Sequence, residues 1–202
     1  MGLAVVVLVL ATVVAVALGG RWHRLGRLPL RDRRLVVAAV AAQVGGAIFG
    51  LLDAADAQSS YVVGLAVSAA LAIAFCARNL RVPGVALVTA GLVGNAVVVA
   101  ANGAMPVSID AAYHARVPID AIAAGTDARH TVAGIGTHLR VLGDVIPVPL
   151  PLRPEVVSPG DVLIAAGLAE LLVLGMMGWQ AGRRTTRRRS PHGEESAQAS
   201  RT

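Results

Sequence analysis

The sequence predicts an all-α, multi-pass membrane protein with five transmembrane helices and a long, partly ordered extracytoplasmic loop between helices 4 and 5. Three observations carry this prediction. Apolar residues make up 55% of the 202 positions and charged residues 15%, against about 45–50% and about 25% in an ordinary soluble domain. The apolar surplus is gathered into blocks of spanning length rather than spread around one core. The basic residues, all of them Arg, sit mainly in the short segments between those blocks, where membrane insertion uses them.

The spans fall near 3–19, 35–52, 61–77, 84–101 and 162–179, within a polytopic domain over 1–182. No basic residue precedes the first block, whereas Arg21, Arg24, Arg27, Arg31, Arg33 and Arg34 follow it. A signal peptide has the opposite order, so the first block reads as an uncleaved helix with its N-terminus outside. The second block closes on an acidic loop holding Asp53 and Asp56, and the third closes on Arg78 and Arg81. Pro83 opens the fourth, a position that tolerates proline. With an outside N-terminus, the cytoplasmic segments hold 14 of the 18 Arg residues, so every inter-helix segment agrees with one orientation. Trp22 and Trp179 then lie at the inner interface and Tyr61 at the outer one.

Residues 183–202 form a basic tail without large apolar side chains, expected to be disordered and cytoplasmic. Its Arg cluster suits anionic lipid headgroups. The net charge of +6 is accounted for in this way, and nucleic acid is not implied. The expected location is the cell membrane. Cys76 is the single cysteine, which excludes an intrachain disulfide and reads as a small buried hydrophobe.

Small residues recur along the spans. Gly46 and Gly50 form a G-x-x-x-G pair that serves either a homo-oligomer interface or close packing within one chain. Three polar residues interrupt the spans: Gln43, Asn95 and Glu170. Counting about 1.5 Å per residue from the helix starts puts all three near the bilayer midplane, where they can form one cluster. An acidic residue at that depth costs about 2.5–3.5 kcal/mol, so Glu170 is expected to be protonated and hydrogen-bonded to Asn95 or Gln43.

The outer loop, 102–160, is too long for a plain connection. Ser108 is placed to cap a short helix near Ile109–Arg116, and Pro118 to start another near Ile119–Ala124. Pro147, Pro149 and Pro151 alternate in an apolar stretch from Leu139 to Leu152 and exclude a helix there. Asp144 follows Gly143 at an apparent turn, and Asp161 is expected to cap the fifth helix. His114, His130 and His138 share this side with Asp144 and Asp161, and His130 with Asp144 is the candidate metal pair. No resident cofactor is expected.

Asn95, Asn102-Gly103, Met105-Pro106-Val107, His130, Thr137, Leu139, Leu142-Gly143-Asp144, Pro147, Pro149 and Ser158 to Val162 together resemble the bacterial membrane-protein family known as domain of unknown function 5317. The resemblance implies the architecture and no activity. It singles out the outer-loop motif of Asn102, Gly103, Met105, Pro106, His130, Gly143, Asp144, Pro147 and Asp161. The expected function is non-enzymatic binding of a partner, lipid or envelope component by the outer loop. The alternatives are a small transporter using Gln43, Asn95 and Glu170, and a metal-dependent membrane enzyme. A transporter asks for polar helix faces or repeated broken helices, and an enzyme for convergent acid, base or nucleophile groups.

Overall fold

The computed structural model describes residues 2–52, 57–125, 127, 129–151 and 153–179. The predicted tail 183–202 and the acidic residues Asp53 and Asp56 lie outside them. The chain is mostly helical. Five long helices, α1 (Gly2–Ala17), α2 (Arg34–Leu52), α3 (Ala57–Arg78), α4 (Val85–Asn102) and α7 (Pro159–Met177), make up most of the described residues, and the segments after α1 and α3 meet on one side. On the other side, residues between α4 and α7 form a small module of two short helices, α5 (Ile109–Ala115) and α6 (Asp120–Ala123), and four short strands. By length and composition, α4 and α7 are the described helices long and apolar enough to cross a membrane.

The long helices pack in the order α2, α3, α4, α7, α1. Glycine sets the closest approach. Gly84 and Gly91 on the α4 side face Gly167 and Gly160 on α7, so two seven-residue spacings run antiparallel along one seam. A Cβ on Gly91 would lie 2.4 Å from the Gly160 carbonyl oxygen, and one on Gly167 would lie 2.4 Å from that of Gly84. Gly84, the N-cap of α4, has a φ of 77°, a left-handed conformation that favours glycine. Between α2 and α3 the same role falls to Gly46 and Gly64, where a Cβ on Gly64 would come 2.8 Å from the Gly46 Cα. Gly46 thus takes part in close packing within the chain. The packing of Gly50 lies outside the described residues.

Polar clamps hold the helix ends together. Near one end, the buried Asn79 side chain donates to the carbonyls of Arg31 and Phe75 at 3.1 and 2.8 Å, and accepts from the Arg31 N–H at 2.8 Å. Beside it Cys76, Val82, Val85 and Val88 form an apolar cluster with Phe75, Leu168, Leu171 and Trp179 against it. At the other end, Glu155 accepts from the backbone N–H groups of Gly2 and Leu3, so a side chain from the module caps the first turn of α1.

The module is built on two pairings. Strand β1 (Met105–Val107) runs parallel to β2 (His130–Val132), with Met105 opposite His130. Strand β3 (Ile146–Val148) runs antiparallel to β4 (Glu155–Val157), with Pro147 opposite Val156. The proline-rich stretch is thus extended, in short strands that present few ladder donors, as proline requires. Ser108 caps α5, its hydroxyl accepting from the Ala111 N–H.

Candidate functional site

The junction between the module and the long helices gathers most of the motif residues. Ser158 is fully buried and is the N-cap of α7, its hydroxyl accepting from the Asp161 N–H at 3.0 Å. Asp161 returns the bond, its Oδ2 accepting from the Ser158 N–H at 3.1 Å, which closes a capping box. The expected capping role of Asp161 is thus present, carried out from the third helical position because α7 begins at Pro159. Asn95 joins the box from α4. Its Nδ2 donates to Asp161 Oδ1 at 2.9 Å, and its Oδ1 accepts from the Ser158 hydroxyl at 2.9 Å. Gly160 makes room, since a Cβ there would sit 2.0 Å from Asn95 Oδ1.

A second asparagine holds the far side of the module. Asn102 Nδ2 donates to the carbonyls of Val98 and His138 at 2.8 and 3.0 Å, and its Oδ1 accepts from the His138 N–H at 2.9 Å. Gly103 ends α4 with a φ of 79°, which turns the chain into β1. Pro106 then accepts from the Asp144 N–H at 2.8 Å, and Asp144 accepts from the Ser108 N–H at 2.9 Å. Gly143 passes so close that a Cβ would lie 2.5 Å from the Pro106 carbonyl oxygen. The backbone of Asp144 therefore lies along β1, opposite Val107.

This placement buries the Asp144 side chain beside His130. Oδ2 of Asp144 is 3.7 Å from His130 Nε2, beyond hydrogen-bond length. His130 is oriented from its other side, with Nδ1 2.8 Å from Asp127 Oδ2. Burial pushes the Asp144 carboxyl up to about 7; the charges of Asp161 and Glu155 add to the rise and His130 opposes it. Burial also acts on Asp127, but hydrogen bonds from His130 and the Arg129 N–H bring it below the ordinary carboxylate value. Glu155 is likewise lowered, burial being outweighed by the N–H groups of Leu3 and Gly2. The arrangement is a buried carboxyl of raised pKa beside an imidazole oriented from its other side. His114 bonds back to the Asp110 carbonyl within its own helix. Among the described residues, no three His, Cys, Asp or Glu side chains gather as a metal-ligand set, so the candidate pair His130 and Asp144 stands without a third donor.

The expected cluster of Gln43, Asn95 and Glu170 is not formed. Asn95 is engaged by Ser158 and Asp161. Glu170 lies three residues beyond Gly167, and Asn95 eleven beyond its opposite number Gly84, so the two stand about 20 Å apart along the seam at about 1.5 Å per residue. Gln43 is exposed on α2. The physical reason is stagger. Counting depth from each helix start assumes level ends, whereas the glycine seam sets α7 well down the side of α4. Asp127 and Asn79 are the functional or anchoring side chains that sequence reasoning passed over. Asp127 precedes His130 by three residues, a spacing that was available as a signal. Nothing local in the sequence pairs Asn79 with Arg31.

The profile of a family described as a family of unknown function (DUF5317) matches residues 27–173, which takes in all of the junction and module just described and leaves α1 outside. Neither the curated proteins nor the solved structures contain a match to the chain.

Proposed function

We propose that this chain, which belongs to the family of unknown function DUF5317, is a five-span integral membrane protein whose outer module is a preorganised binding platform for an envelope partner. In this reading α1, α2, α3, α4 and α7 are the spans, the N-terminus is outside and the tail is cytoplasmic, with its Arg residues on anionic headgroups. Support for the membrane comes from what the helices leave uncovered. Only 17% of the apolar stretch of α4 and 28% of that of α7 is buried, whereas a core helix of a soluble protein is mostly covered. Val5, Val9 and Val13 on α1, Val37, Val40 and Val44 on α2, and Val93 and Val97 on α4 are exposed. Apolar surface on that scale calls for lipid or a partner.

The observation that carries the binding reading is the set of hydrogen bonds joining the module to the long helices, together with its uncovered side chains. Glu155, Asn102 and the Asn95–Ser158–Asp161 ring tie it to three long helices. On that fixed frame Ile109, Tyr113, Ile135 and Val141 project outward, Tyr113 being 80% and Val141 75% exposed. Large side chains on a preorganised backbone are what a recognition surface uses. A photo-crosslinking residue at Tyr113 or Ile135 in intact cells tests this. Adducts with a polypeptide or a cell-wall polymer, competed by added purified protein, support the platform; adducts with lipid alone or with nothing at both positions contradict it. A transport role through Gln43, Asn95 and Glu170 loses its support, because these residues stand apart.

A further inference from the structure

Glu170 is exposed at the edge of an apolar groove between α1 and α7. The groove is a shallow, open and apolar depression of about 480 Å³ walled by Val7, Leu10, Ala11, Val14, Val173 and Leu174, and Glu170 borders it with the carbons of its side chain. The two helices run in the same direction, since the segment after α1 meets the end of α7, where the Arg21 N–H donates to the Met176 carbonyl at 2.9 Å. Glu170 is exposed and makes no hydrogen bond or ion pair among the described residues. It lies about 10 Å from the C-terminal end of α7, at about 1.5 Å per residue, too deep for a carboxylate to reach a headgroup layer. Along α1 and α7 no Arg, Lys or His is present to meet it.

We propose that the α1–α7 groove is the docking site for one transmembrane helix of another protein, bearing a lysine or arginine that pairs with Glu170. The inference rests on the five-span reading above. Charge complementarity selects the occupant. Lipid chains fill an apolar groove but leave an acidic side chain without a partner in a medium where ionic and polar groups are kept only when paired. A second copy of the chain brings another Glu170 rather than a cation. A helix with a basic residue seven positions from its inner end satisfies both the apolar walls and the carboxylate.

The test uses the full chain reconstituted in phosphatidylcholine vesicles and two synthetic peptides. Both are Leu/Ala transmembrane helices with a dansyl group at the inner end; one carries a single Lys at the level of Glu170 and the other a Leu. Energy transfer from Trp22 and Trp179, which lie at that end, reads binding. The Lys peptide is expected to bind at least about tenfold more tightly, Glu170→Gln to abolish that preference, and Glu170→Asp to keep most of it. Equal affinity for the two peptides, a preference that survives Glu170→Gln, self-association of the chain without discrimination between peptides, or no binding of either peptide each overturns the proposal. The wild-type peptide comparison stands even if a variant fails to fold. Alkaline extraction of native membranes separates the two readings: a chain that washes off removes the five-span reading, whereas a chain that stays but does not discriminate removes only the groove.

Discussion

Asn95 and Asp161 meet across the seam between α4 and α7, the amide of one donating to the carboxylate of the other at 2.9 Å. The same carboxylate holds the Ser158 N–H. A helix start, a helix interior and the end of the module are thereby fixed to one another by three side chains.

Replacing Asn95 by Ala should therefore loosen the junction as a unit. It strips Ser158 and Asp161 of a partner each in a partly buried site, at a cost on the order of 1–3 kcal/mol. Thermal unfolding in detergent should show the loss, and amides of 104–108 and 142–146 should exchange faster. Unchanged melting and exchange would mean that the ring is ornamental.

The glycine seam gives a sharper contrast. Gly160→Ala puts a methyl group 2.0 Å from Asn95 Oδ1, while Gly94→Ala on the same helix pair meets nothing within 4 Å. The first should destabilise by on the order of 1–3 kcal/mol or more, as overpacking does; the second should melt with the wild type. Equal behaviour of the two variants would remove the seam from the account.

Asp144 makes the module sensitive to pH. Its folded value, about 7, is raised above the ordinary carboxylate value. Its contribution to stability is thus fully present below the ordinary carboxylate range and is lost as pH rises toward and through about 7. The wild type should melt at a lower temperature at pH 8 than at pH 5, and Asp144→Asn should flatten that slope. A variant with the wild-type slope would point to another group.

Glu155 works in the opposite direction. Its value is lowered by the N–H groups it caps, so its contribution is present above the ordinary glutamate range and is lost as pH falls through the lowered value. Glu155→Ala should cost about 0.5–2 kcal/mol, as the loss of a helix cap does, and should free the first turn of α1 to exchange. Exchange confined to the module, with α1 unaffected, would show that the cap has no effect on the helix.

Local chemistry was legible in the sequence and distance was not. Ser108 ahead of an apolar helical run marked α5, and alternating prolines marked an extended segment, because caps and φ restrictions act within a few residues. The resemblance of the outer-loop motif to a family was legible for the same reason, being carried by short contiguous runs. The depth of Glu170 relative to Asn95 was not, because it depends on how α7 slides along α4. That slide is set by Gly84, Gly91, Gly160 and Gly167, whose pairing is tertiary. Asn79 escaped notice because its partner is 48 residues away in sequence.

The proposed topology, five spans with the module outside, is open to labelling of single cysteines in intact cells. With Cys76 replaced by Ser, cysteines are placed one at a time at Ile135 in the module and at Gly26 between α1 and α2. A membrane-impermeant thiol reagent is expected to label the Ile135→Cys variant in intact cells and the Gly26→Cys variant only after lysis. Labelling of both variants in intact cells, or of Gly26→Cys alone, would contradict it.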